Sequence, residues 1–293
     1  MALLEYALVG GVLYGIYFSL VAVGLNLVFG VMRMINLAHG EFVMLGGFGA
    51  FVVYQDLNLN PLVGIPLAIV GAILIGYPLY YAVVPRLQRS RDPEMFSFIL
   101  FFGLAQMIEA LAILVFGVDQ RSLPTQTLGA GSIGIFGQDF PDSWWVAAGV
   151  SAACILGLYL YLTRTKLGLA TRAVMTNRDE AVATGIDVDR VSSIALIIGL
   201  ALAGIAGVFV PYLLGSIDPT IGAGLTTSSF AIIIIGSLGR PLGTVAGGLV
   251  FGLGSMLMQT YLSSWSNLVP YALLVLIVLV RPAGLFGRTL RQA

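Results

Sequence analysis

Long apolar runs, broken by short polar stretches, dominate the chain. Six of them, Tyr6–Gly30, Pro61–Val84, Met95–Gly117, Trp144–Thr163, Val191–Gly215 and Leu242–Leu262, are long enough for a helix to cross a hydrocarbon core of about 30 Å, which takes roughly 20 residues. Three more, Glu41–Tyr54, Ser228–Leu238 and Leu268–Val280, are shorter or interrupted, and the first two read as broken or re-entrant. The pattern predicts an all-α, polytopic membrane helical bundle of eight to ten transmembrane segments.

The polar breaks sort by charge. Arg86, Arg89 and Arg91 lie in one linker, and Arg164, Lys166, Arg172, Arg178 and Arg190 in another. Arg281, Arg288 and Arg291 form the tail. The alternate connections, around residues 1–5, 55–60, 118–143, 216–225 and 263–267, carry only Arg121. Lys and Arg stay preferentially cytoplasmic. Nine spans with the N-terminus outside and the C-terminus in the cytoplasm also place Arg33 and Arg240 inside, so thirteen of the fourteen cations obey one rule.

Composition narrows the function classes. Of 293 residues, 58% are hydrophobic and only 10% charged, with a mean hydropathy of +0.98. An average soluble domain is about 25% charged, so a water-soluble enzyme is poorly supported. Fourteen basic residues balance fourteen acidic ones, which leaves no basic field for nucleic acid. The start, Met1–Glu5, lacks a basic n-region and cleavage site, so the first apolar segment is expected to be retained as a span.

One histidine and one cysteine, His39 and Cys154, cannot assemble a familiar zinc, haem or iron–sulfur ligand set, and one cysteine leaves no disulfide within the chain. Lys166, the only lysine, has no GxxxxGK[ST] around it, so ATP hydrolysis by a P-loop is not expected. Gly129-Ala-Gly131-Ser-Ile-Gly134 matches GxGxxG, but in an outer loop without a strand–turn–helix setting, where it reads as a flexible loop. Glycines and alanines four apart (Gly11/Gly15, Gly46/Ala50, Gly199/Ala203/Gly207, Gly243/Gly247, Gly248/Gly252) predict close helix packing within the chain. A faint echo links Gly30–Arg33 with Gly236–Arg240, both at predicted inner junctions.

Polar residues inside apolar segments are costly and mark partners or pathways. Glu109 lies fourteen residues past Met95, about 21 Å along a helix at 1.5 Å per residue, and Gln106 shares its face. Substrate pathway and structural pairing with another helix both fit it. Asn36-Leu-Ala-His39-Gly40-Glu41 reads as a helix break, either a capped structural one or a lining of the transport path. Asn26, Thr226, Thr227, Ser228 and Ser229 offer further hydrogen bonds, which Ser and Thr in such helices more often spend on backbone or a neighbouring helix. Residues 164–190 form the longest inner linker. Its helix formers, alanines and mixed charge predict a short amphipathic helix over Lys166–Thr184 lying across the inner face.

Four ordered stretches then carry a resemblance. Asn36–Gly46 (NLAHGEFVMLG), Arg172–Val188 (RAVMTNRDEAVATGIDV), Ile234–Gly243 (IIGSLGRPLG) and Arg281–Gly287 (RPAGLFG) are similar to the high-affinity branched-chain amino acid ABC permeases of the LivH type, over nearly the whole chain. Ile235-Gly236-Ser237 departs from the Gly-Gly that many relatives carry there. Sister permeases with the same motifs carry urea, short amides or other amino acids.

The resemblance implies a single permease domain over 1–293, with a cytoplasmic coupling segment at 164–190 and a periplasmic loop at 118–143, in the bacterial inner membrane. Its implied partners are a second related permease subunit, two cytoplasmic ATPase subunits and a periplasmic substrate-binding protein. ATP and Mg would sit on the partners, with no cofactor bound by this chain and no enzymatic site of its own. Within the coupling segment, Arg172, Ala173, Asn177, Asp179, Glu180, Ala183 and Gly185 would face an ATPase. The substrate-pathway candidates are Asn36, His39, Glu41, Gln106, Glu109, Ser228 and Ser229. Alternating access is the implied mechanism; a stand-alone secondary transporter or channel, using Glu109 or His39, is the rival from another class.

Overall fold

A computed structural model of the chain describes residues 2–281 together with Gly284 and Leu285. Arg288 and Arg291 of the basic tail, and Pro282, Ala283, Phe286 and Gly287 of the closing motif, lie outside the described residues. Every apolar run becomes helix. The elements are α1 (Ala2–Met32), α2 (His39–Gln55), α3 (Gly64–Gln88), α4 (Pro93–Phe116) and α5 (Asp142–Arg164), then the short α6 (Lys166–Thr176) and α7 (Arg178–Ala183). After them come α8 (Val188–Val208), a four-residue α9 (Val210–Leu213), α10 (Ile221–Gly236), α11 (Pro241–Tyr261) and α12 (Val269–Val280). Six stretches among the described residues are long and apolar enough to cross a bilayer, while α10 is a shorter apolar helix.

Helix α1 runs through the middle, packed against α5, α8, α10 and α11. In lipid, helices gain little from hiding apolar surface from one another, so they associate through close backbone approach. The small residues supply it. A Cβ on Gly15 would stand 2.8 Å from Leu249 Cα, and one on Gly11 2.9 Å from Leu253 Cα, so α1 and α11 meet along these glycines. Gly24 meets Gly199 on α8, and Gly46 of α2 lies against Gly204. Most of α1 and α8 is buried, whereas α3, α4 and α12 turn large apolar side chains such as Leu74, Leu114 and Leu279 outward.

The polar connections gather at two ends, in the two sets that their charges predict. At the basic end Arg33 donates to the Met175 carbonyl (3.4 Å) and Arg178 to Gln88 Oε1 (2.7 Å). Gly30 packs on Gly239 there, so the two echoing junctions touch. At the opposite end Asn60 donates to the Thr127 carbonyl (3.2 Å), Thr127 and Tyr212 share a hydroxyl contact (2.6 Å), and Tyr6 stacks on Phe140.

Four expectations need correction. The shortened segment at Ser228–Leu238 in fact begins at Ile221, because Thr227 and Ser229 turn their hydroxyls back onto the Ala223 and Leu225 carbonyls and extend the helix instead of breaking it. The span Val191–Gly215 begins at Val188 and is interrupted at Phe209, with Pro211 opening the next turn. The amphipathic helix over Lys166–Thr184 is two helices, because Asn177 caps the second. The GxGxxG stretch is not all loop. Ser132–Ile135 pairs antiparallel with Gln138–Pro141 around a turn in which Phe136 (φ 52°) and Gly137 (φ 72°) both take positive φ, as a two-residue hairpin demands.

Candidate functional site

The α6–α7 unit is an exposed feature of the basic end. Thr165 caps α6 by accepting from Gly168 N (2.9 Å). Gly168 lets α6 fold back tightly on α5, since a Cβ there would strike the Tyr161 carbonyl. Gly168, Thr171 and Val174 recur at three-residue spacing and form a buried underside, joined by Ala181 of α7. Tyr161 and Thr171 join hydroxyls at 3.0 Å.

Helix α7 has only six residues, and its two ends are closed by side-chain and backbone caps. Asn177 Oδ1 accepts from Asp179 N (3.1 Å) and Glu180 N (3.4 Å), while Asn177 Nδ2 donates to Glu180 Oε1 (2.7 Å), a reciprocal arrangement like a capping box. At the far end Gly185 takes φ +83°, Gly185 N bonds to Val182 O and Ile186 N to Ala181 O, the Schellman pattern. Arg172, Asn177, Asp179, Glu180, Ala183 and Gly185 face outward together, with Val182 among them; Ala173 is half-buried. The unit is anchored beneath. Arg178 reaches Gln88 at the end of α3 and Asp189 at the start of α8 (3.9 Å), and Tyr80 of α3 donates to the same Asp189 (3.0 Å). These bonds, with the packing of α6 on α5, tie the unit to α3, α5 and α8.

The break between α1 and α2 is the second cluster. Asn36 Oδ1 accepts from Ala38 N (3.0 Å). His39 Nε2 contacts the Val21 carbonyl at 2.7 Å; a carbonyl only accepts, so Nε2 carries a proton and donates it. The cap of α2 comes from far away in sequence: Thr226 Oγ1 accepts from Gly40 N (2.8 Å) and donates to the Leu37 carbonyl (3.1 Å). Glu41 packs its carboxylate on Gly222 of α10. Asn36, His39 and Glu41 are all buried, and Asn36 Nδ2, His39 Nδ1 and Glu41 Oε2 have no hydrogen-bond partner among the described residues.

The other pathway candidates separate. Gln106 is exposed and donates to the half-buried Glu109 (3.4 Å) within α4, with no bond to another helix among the described residues. Ser228 and Ser229 are buried in α10, and Ser229 bonds its own helix backbone. Among the described residues, no three His, Cys, Asp or Glu side chains gather as a metal site.

Sequence reasoning under-used Asn26. Its Nδ2 donates to Thr244 Oγ1 (2.6 Å) and the Arg240 (3.1 Å) and Ser237 (3.2 Å) carbonyls, and its Oδ1 accepts from Gly239 N (2.6 Å). A lone amide in a run of apolar residues was the available signal. Gln88 and Asp189, at helix ends full of polar residues, gave none.

The fold also matches a solved structure, PsaBC from Streptococcus pneumoniae in complex with Fab, with a TM-score of 0.52 over 96% of this chain and 94% of that chain; at 12% identity the likeness is one of fold. In sequence the chain is 29% identical to the high-affinity branched-chain amino acid transport system permease protein LivH of Escherichia coli, over 95% of this chain and 94% of LivH. It is 27% identical to the permease protein BraD of Pseudomonas aeruginosa, over 96% and 95%. Residues 7–278 match the family model described as branched-chain amino acid transport system, permease component. The chain therefore belongs to that family of permease components, as a transport subunit and a multi-pass helical membrane protein.

Proposed function

We propose that the chain is the permease of an ATP-driven, binding-protein-dependent importer of branched-chain amino acids in the bacterial inner membrane, with its basic end in the cytosol. The substrate class follows the names of LivH and BraD. The observation that carries the ATP-driven reading is the α6–α7 knob: a capped, outward-facing unit at the basic end, fastened to α3, α5 and α8.

One of two ATPase subunits grips this knob, and ATP and Mg are bound on that pair. ATP binds more tightly to their closed pair than to the open one, and that difference supplies the bias between states. Closure moves the knob, and the knob levers α3, α5 and α8 to switch the path between outward- and inward-facing forms. A binding protein delivers substrate at the opposite end, so the path itself holds substrate loosely. A second, related permease covers part of the outward apolar surface of α3, α4 and α12, and lipid covers the rest.

The test is substitution on the knob in the reconstituted complex. Arg172→Glu, Ala183→Trp and Gly185→Val are expected to leave membrane insertion intact while ATPase subunits are lost on purification or their stimulation by loaded binding protein disappears. Unchanged uptake by all three would overturn the docking role. Gradient-driven uptake by the purified chain alone would overturn the ATP-driven reading and favour a stand-alone transporter.

A further inference from the structure

Arg121 is the one cation that the charge rule leaves at the opposite end, and it is held firmly there. Its backbone exchanges two hydrogen bonds with Ile217 (2.8 and 2.7 Å), and its Nη2 donates to the Phe116 carbonyl (3.1 Å). The guanidinium lies over the Phe51 ring, 5.8 Å from the centroid. Ile217 is fully buried and packs against Gly47, so Arg121 rests on the core instead of swinging on a free loop.

The guanidinium borders a pocket of about 460 Å³ between the ends of α2 and α4, inside the range of small-molecule sites, about 300–1,000 Å³. Phe51, Val115 and Phe116 line its apolar part, while polar groups, Asp56 among them, make up most of its surface. Asp56 is the C-cap of α2, where backbone carbonyls already gather negative potential and a carboxylate is out of place for helix stability. Neither Asp56 nor Arg121 forms an ion pair with another described residue. One pocket thus holds a positive group, a negative group and an apolar portion, with neither charge ion-paired among the described residues.

We propose that this pocket is a receiving site for a free amino acid as its zwitterion. Arg121 takes the carboxylate, Asp56 and the carbonyl end of α2 take the ammonium, and Phe51, Val115 and Phe116 pack on an aliphatic side chain. The proposal rests on the amino-acid import reading above and adds the place where this subunit first meets its cargo. Since the pocket is open on one side, binding is loose, as a hand-over site requires.

The test uses the reconstituted complex carrying Cys154→Ala and Ser122→Cys, which puts a thiol on the pocket rim. Labelling by a membrane-impermeant thiol reagent is followed with L-leucine, isopentylamine or 4-methylpentanoate present. Leucine is expected to slow labelling by a factor of 1 plus the ratio of its concentration to Kd, roughly threefold at twice Kd. The two half-molecules, each lacking one charge, should not. Equal labelling with and without leucine, or equal protection by either half-molecule, overturns the proposal; this comparison needs neither charged residue replaced. In a second arm, Arg121→Gln and Asp56→Asn should abolish protection and lower the maximal uptake rate severalfold, with the half-saturating concentration of loaded binding protein unchanged. A raised half-saturation at full maximal rate would make the pocket a docking contact for the binding protein and overturn the proposal. Leucine uptake by the unmodified complex reports separately on the import reading.

Discussion

Gly239 donates its backbone N–H to Asn26 Oδ1 at 2.6 Å, joining residues 213 positions apart at the basic end. The same amide donates to Ser237, Arg240 and Thr244, so one side chain satisfies most of the turn between α10 and α11. That turn needs holding, because Ser237 takes φ +102°, where side chains rarely sit. Asn26→Leu keeps the volume and orphans these groups. A buried unsatisfied group costs about 1–3 kcal/mol, so a clear drop in the melting temperature of the purified complex is expected, with new protease sensitivity at Arg240. An unchanged melting temperature would show that the turn holds itself.

Two glycines make a paired prediction about packing. A Cβ at Gly40 would run into the Gly222 carbonyl and crowd Thr226 N and Oγ1, all on α10, whereas one at Gly149 on α5 meets nothing within 4 Å. Backbone cannot yield as a flexible side chain can. Gly40→Ala should therefore push α2 off α10, break the Thr226 cap and reduce the yield of folded protein. Gly149→Ala should stabilise by about 0.5–1 kcal/mol, the usual gain of alanine over glycine inside a helix. Size-exclusion yield and thermal unfolding of the two variants side by side check this, and equal behaviour would contradict the α2–α10 contact.

Much of this architecture was open to inference because lipid imposes simple rules. Runs of about 20 apolar residues located the spans, and the cations sorted the connections into two ends that the structure keeps apart. The glycine spacings foretold which faces meet, since close approach in lipid needs small residues. Pairings distant in sequence were hidden. Nothing near Gly40 announces that its N–H is capped by Thr226, and nothing near Arg178 announces Gln88. The start of α10 was hidden because residues 221–225, with their two glycines, fall in the connection assigned to residues 216–225. The candidate residues were similarly mixed: the knob residues lie together, whereas Gln106 and Ser229 stand on different helices, each bonded only within its own.

The last prediction concerns Asn177, the joint of the knob. Helix α7 is too short to stand by its own propensity, so its ends must be held. Asn177 supplies acceptors for two N–H groups and a donor for Glu180. Loss of such a cap costs about 0.5–2 kcal/mol, which is small for the whole protein and large for six residues. Asn177→Ala should thus leave thermal unfolding of the complex almost unchanged while α7 frays. On the proposed docking role, ATP consumed per leucine imported should rise, because a frayed lever would transmit less of each ATPase closure. Asn177→Ser, which keeps an acceptor at the cap, should restore most of the coupling. If the alanine variant imports leucine at the same ATP cost as the parent, α7 need not be a stiff lever, and the force must pass through α6 alone.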